Sequence, residues 1–66
     1  MRLKELRRNR NLTQREVAEA IYCSPVVYSR YERGEREPDI ETLCRLAEYF
    51  CVTVDALIGR TPLNQP

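Results

Sequence analysis

The chain has 66 residues, 42% hydrophobic and 32% charged, with a formal net charge of +1 and no histidine. That length allows one domain with a thin stability margin, because a chain of this size buries only about 60% of the surface its unfolded form exposes. The mixed, charge-rich composition excludes intrinsic disorder, and no apolar run approaches the roughly 20 residues of a membrane span.

The first helix is expected over residues 2–10, with Leu3, Leu6 and Arg10 sharing a face and Arg7 beside Leu3. Leu12 follows the exit and tucks into the core. Thr13-Gln14-Arg15-Glu16 reads as a capping box that opens a second helix, whose buried stripe is Val17, Ala18 and Ile21. Small Ala18 allows a close crossing by the next helix. A turn at Ile21-Tyr22-Cys23 leads to Ser24, a capping residue. Pro25 then suits the first helical position, where its missing N–H costs nothing. Tyr28 and Tyr31 are expected to face inward, and Gly34 to end this third helix in a left-handed conformation.

Glu35 to Pro38 is a loop. Asp39 caps a fourth helix that runs to about Phe50, with Ile40, Leu43, Cys44, Ala47 and Phe50 expected on its buried face and Leu46 adjacent. Thr53 caps a fifth, Val54 to Ile58, stopped by Gly59. Residues 60–66 carry two prolines and no periodicity, so they read as a tail after a domain spanning 1–59. No strand-period pattern occurs. The expected class is all-α, five short helices in one compact domain.

Charge is unevenly spread. Residues 1–15 sum to +5, while residues 37–66 sum to −3. One basic end and one acidic end suit a protein that turns one side to a polyanion. Ten of the eleven basic residues are arginine, which favours phosphate or carboxylate pairing over simple solubility. Cys23, Cys44 and Cys51 are odd in number and irregular in spacing, and with no histidine they make no zinc site. They read as free, mostly buried thiols acting as small apolar residues. No metal or cofactor is expected. The charged start MRLKELRRNR has no apolar core behind it, so it is not a signal peptide, and a bacterial cytoplasmic location is expected.

Two short helices joined by a tight turn, the second opening on Ser-Pro, form the usual device for laying a helix in a DNA major groove. With RLKELRRNRNLTQREVAEAI, SPVVYSRYERG, EPDIETLCRLAEYF and VTVDALIG in this order, the chain resembles the lambda-repressor/Cro-like (XRE) helix-turn-helix family over residues 2–59. The resemblance implies a five-helix domain, dimeric on a two-fold symmetric operator. It places Ser24, Pro25, Val26 and Arg30 towards the bases, with Val27 close by. It places Gln14 on a phosphate while buttressing the third helix, and Arg33 and Arg36 near the backbone. It also implies a buried structural ion pair, Arg7 with Glu32. Two positions depart from the pattern. Tyr22 and Cys51 stand where the family usually has glycine, so either they adopt left-handed conformations or the turns differ.

Pro25, Val26 and Val27 cannot hydrogen-bond a base and can only touch thymine methyls. Arg30 can fork onto guanine, contact a phosphate, or pair with Glu19 or Glu35. Arg10, Arg15 and Thr13 complete the expected backbone contacts. Leu57, Ile58 and Leu63 are the candidate dimer surface, with Val54 in the core. The function these features imply is a sequence-specific double-stranded-DNA-binding transcriptional regulator, a homodimeric repressor. The alternative is a protein-interaction module, antitoxin-like or adaptor, on the same fold. An enzyme is disfavoured, because no nucleophile–base pair and no glycine-rich phosphate loop occurs and the chain is too short for a pocket. No small-molecule ligand or membrane partner is expected.

Overall fold

The computed structural model describes residues 1–59 and contains five helices: α1 (Leu3–Asn9), α2 (Gln14–Ala20), α3 (Pro25–Arg33), α4 (Ile40–Phe50) and α5 (Val54–Ile58). Every helix but α1 starts on a side-chain cap. Thr13 Oγ1 accepts from the Glu16 amide at 3.1 Å while Glu16 Oε1 accepts from the Thr13 amide at 3.0 Å, closing the capping box. Ser24 Oγ accepts from the Val27 amide at 3.1 Å, Asp39 Oδ1 from Thr42 at 2.8 Å, and Thr53 Oγ1 from Ala56 at 3.0 Å. α1 lacks such a cap, and its N-terminal side is tied down by tertiary structure instead: the Arg2 amide donates to the Leu57 carbonyl at 2.9 Å.

The helix ends share one geometry. After α1, α2, α3 and α4 a single residue turns left-handed: Asn11 (φ 56), Tyr22 (φ 59), Gly34 (φ 74) and Cys51 (φ 57). The following amide then reaches back to a carbonyl in the last turn, as Cys23 does to Ala18 at 2.8 Å and Val52 to Ala47 at 3.0 Å. Tyr22 and Cys51 therefore take the glycine-like conformation, and the turns keep their usual shape.

The core unites Leu3 and Leu6 of α1, Val17 and Ala18 of α2 with Ile21, Tyr28 and Tyr31 of α3, Leu46, Ala47 and Phe50 of α4, and Leu57 of α5. Two expectations are corrected on α4. Ile40 is 80% exposed and Cys44 is exposed, whereas Leu46 is fully buried. The inward stripe runs Leu43, Leu46, Ala47, Phe50, a 3.6-residue repeat that leaves Ile40 and Cys44 off its edge. The thiols are accordingly not mostly buried: Cys51 is also exposed and only Cys23 is half-buried. Leu57, expected at a dimer surface, has no exposed area and belongs to the monomer core, while Val54 packs at its margin. Ile58 remains half-exposed, and Leu63 lies outside the described residues.

Candidate nucleic-acid interface

α3 stands against α2 with its Tyr28–Tyr31 face turned in, which leaves a ridge of side chains turned out. The ridge follows helical spacing: Pro25 and Val26, then Ser29 and Arg30, then Arg33. Ser24 and Pro25 are exposed and Val26 is 63% exposed. Val27 instead packs against the core, so of the two valines only Val26 is presented. Ser29, which sequence reading passed over, lies between Val26 and Arg33 on the same ridge and is half-exposed. The i, i+3 spacing from Val26 was the signal that could have found it.

The two ridge arginines differ. Arg33 is held on both sides: its Nε and Nη2 donate to the Glu35 carboxylate at 2.8 and 3.2 Å, and its Nη1 donates to Ser29 Oγ at 2.8 Å. The hydrogen bond to Arg33 holds the Glu35 pKa below its ordinary value. Arg30 is exposed and, among the described residues, makes no ion pair and no side-chain hydrogen bond. The pairings with Glu19 or Glu35 that the sequence left open are not formed.

Behind the ridge sits a polar hub. The Glu32 side chain, only 3% exposed, accepts from Arg7 Nε at 2.7 Å, Arg7 Nη2 at 3.2 Å and Gln14 Nε2 at 3.0 Å. Arg7 Nη1 also donates to the Leu12 carbonyl at 2.9 Å, just before the Thr13 cap. One guanidinium thus ties α1 to the start of α2 and to α3. Burial disfavours the Glu32 carboxylate, but the hydrogen bonds from Arg7 and Gln14 outweigh it and hold the pKa below 4.5. The Tyr28 hydroxyl is buried close enough to feel that charge, yet has no hydrogen bond of acceptable geometry among the described residues.

The remaining backbone candidates fall in different places. Thr13 and Arg15 are exposed at the start of α2, and Gln14 is half-buried beside them. Arg36 lines a groove with Tyr31, Pro38, Leu43 and Ile58 and does not extend the ridge. Arg10, expected on a phosphate or facing the core, is committed elsewhere: its Nη1 and Nη2 donate to the Tyr49 and Phe50 carbonyls at 3.0 and 2.8 Å, and its guanidinium lies 5.6 Å from the Phe50 ring centroid. It caps the C-terminus of α4, where a cation complements the helix dipole and satisfies two open carbonyls. Burial pushes the Cys23 thiol pKa up, with Arg36 opposing, which argues against a reactive thiolate.

A family described as Helix-turn-helix matches residues 3–57. The chain is 38% identical over 64 residues to the HTH-type transcriptional regulator ImmR of Bacillus subtilis (strain 168), covering 97% of this chain and 50% of that protein. It is 39% identical over 58 residues to the HTH-type transcriptional activator BcrR of Enterococcus faecalis, covering 88% of this chain and 28% of that one. It is 33% identical over 63 residues to the cryptic phage CTXphi transcriptional repressor RstR of Vibrio cholerae, covering 96% of this chain and 57% of that one. The chain thus spans about half the length of ImmR and RstR and about a quarter of BcrR. No solved structure gives a significant match.

Proposed function

The chain belongs to the helix-turn-helix family of the lambda-repressor/Cro-like (XRE) type, and from that premise we propose that it is a sequence-specific double-stranded-DNA-binding transcriptional regulator, a homodimeric repressor of cytoplasmic location. The α3 ridge enters the major groove. Ser24, Pro25, Val26 and Arg30 face the bases, and Val27 fixes the ridge to the core from behind. Gln14, Thr13, Arg15 and Arg36 lie towards the phosphate backbone, and Arg33 stands beside them with its guanidinium held by Glu35 and Ser29. Phosphate contacts set position and salt-dependent affinity, while base contacts carry the sequence information.

The observation that carries this reading is the ridge itself: a capped, tightly anchored helix with an exposed apolar side chain and an unengaged arginine one turn apart. Two copies on a two-fold axis would set their α3 helices in successive major grooves, about 34 Å apart. With Leu57 in the core, Ile58 is the member of the expected dimer set left at the surface of the described residues. Repression follows from occupancy.

Selection from a random duplex library at about 150 mM salt tests this. An enriched inverted repeat with half-sites roughly 10 bp apart is the expected outcome. Weak binding that vanishes with salt, and no enriched sequence, would instead favour a protein-interaction module.

A further inference from the structure

The letters of the half-site follow from the ridge if the DNA-reading function above holds. Val26 is 63% exposed and ends in two methyls with no donor or acceptor. In the major groove its complement is the 5-methyl of thymine. Arg30 is four residues on, one helical turn, so it lies about 6 Å further along the axis at 1.5 Å per residue. Residues about one turn apart on a helix lying in the major groove reach successive base pairs, so Val26 and Arg30 face neighbouring base pairs. Its fork has no partner within the described protein, and its bidentate complement is guanine O6 and N7.

Arg33, another turn down the same ridge, is the contrasting case. Glu35 takes Nε and Nη2 and Ser29 takes Nη1, so both edges of the guanidinium fork are engaged before any DNA arrives. A bidentate carboxylate partner on a cation at the groove edge lowers its attraction for any phosphate, whatever the sequence.

We infer that each half-site is read at two points, a thymine methyl by Val26 and a guanine by Arg30 at the neighbouring base pair, and that Glu35 is a specificity-determining residue that withholds Arg33 from DNA. The device discriminates by suppressing sequence-independent affinity as well as by making good contacts.

The test uses the duplex enriched by selection. Replacing its half-site thymine by deoxyuridine removes only the methyl, and wild-type protein is expected to bind about 4-fold more weakly, the worth of one methyl group. Val26→Ala, whose single methyl reaches less far, should discriminate the two duplexes less than wild type does. Arg30→Ala should lose preference for the guanine by about 5- to 150-fold and leave the other positions unchanged. Glu35→Gln should bind an unrelated duplex more tightly, with the salt slope steeper by about one ion. Val26, Arg30 and Glu35 are all exposed, so circular dichroism and Tm should confirm that each variant stays folded. An enriched motif without a thymine–guanine pair at this spacing, a deoxyuridine duplex bound as well as its parent, or a Glu35→Gln variant no stickier to unrelated DNA would overturn the inference and leave the DNA-reading function standing. Failure to enrich any motif removes both.

Discussion

Arg7 and Arg10 lie three residues apart in the sequence and both are engaged within the fold. Arg7 is 14% exposed and shares its charge with Glu32, while Arg10 closes the end of α4. Removing the Glu32 carboxylate by Glu32→Ala leaves the Arg7 cation buried and unpaired. Denaturant unfolding should show a loss of about 3–5 kcal/mol, a large share of the stability of so small a domain. The pH dependence follows with a definite sign. Because the folded-state pKa of Glu32 lies below 4.5, its contribution is fully present above that value and is lost as pH falls through the lower, folded pKa. Acid titration of Glu32→Gln should lack that part of the stability loss. Tyr28 behaves differently. Its buried hydroxyl has no good partner, so Tyr28→Phe removes an unsatisfied group and should leave Tm unchanged or raise it. A drop of several degrees would show that the hydroxyl is bonded after all. Little of this hub could be read from spacing. The Arg7–Glu32 pair came from family resemblance, and the engagement of Arg10 with α4 depends on a crossing that no local pattern encodes.

At the level of the element, the helices were legible because their boundaries are written in local chemistry. Thr13, Ser24, Asp39 and Thr53 each cap the helix that the sequence assigns to them, and Gly34 and Gly59 end theirs in the left-handed region. Ser24→Ala removes the cap of the proposed reading helix and should cost about 1 kcal/mol of stability, read by thermal unfolding. The left-handed Tyr22 and Cys51 were foreseen only as alternatives, since a non-glycine residue at positive φ is disfavoured and the reason to accept it lies in the reach-back hydrogen bonds that follow. Cys51 is exposed, so Cys51→Gly should relieve strain and raise stability by about 0.5–1 kcal/mol, a gain of several degrees in Tm. Tyr22→Gly should gain less, because the Arg45 guanidinium lies 5.4 Å from its ring centroid and that contact is lost. The α4 error has a simple origin. Ile40 and Cys44 fit an apolar repeat as well as Leu46 does, and only the position of the neighbouring helices decides which edge of a broad stripe is covered.

For the whole molecule, the charge asymmetry is less one-sided than the sequence suggests. Of the six basic residues before position 16, Arg7 and Arg10 are engaged in holding α1 to α3 and α4. The positive surface outside these contacts is therefore modest, and in the proposed function discrimination comes from the α3 ridge more than from bulk electrostatics. The elements α1, α2 and α3 are bound together at Glu32, which accepts from Arg7 of α1 and from Gln14 at the start of α2. The proposed dimer surface is the least legible feature, because Leu57, one of its expected members, lies in the core.

The most direct measurement of the central claim is a backbone-amide NMR titration of the protein with the selected duplex. If α3 reads DNA, the largest shift changes will fall on Ser24–Arg30 and on Thr13–Arg15, saturating together. Changes centred on the groove of Leu43 and Ile58, with the α3 ridge unmoved, would contradict the account.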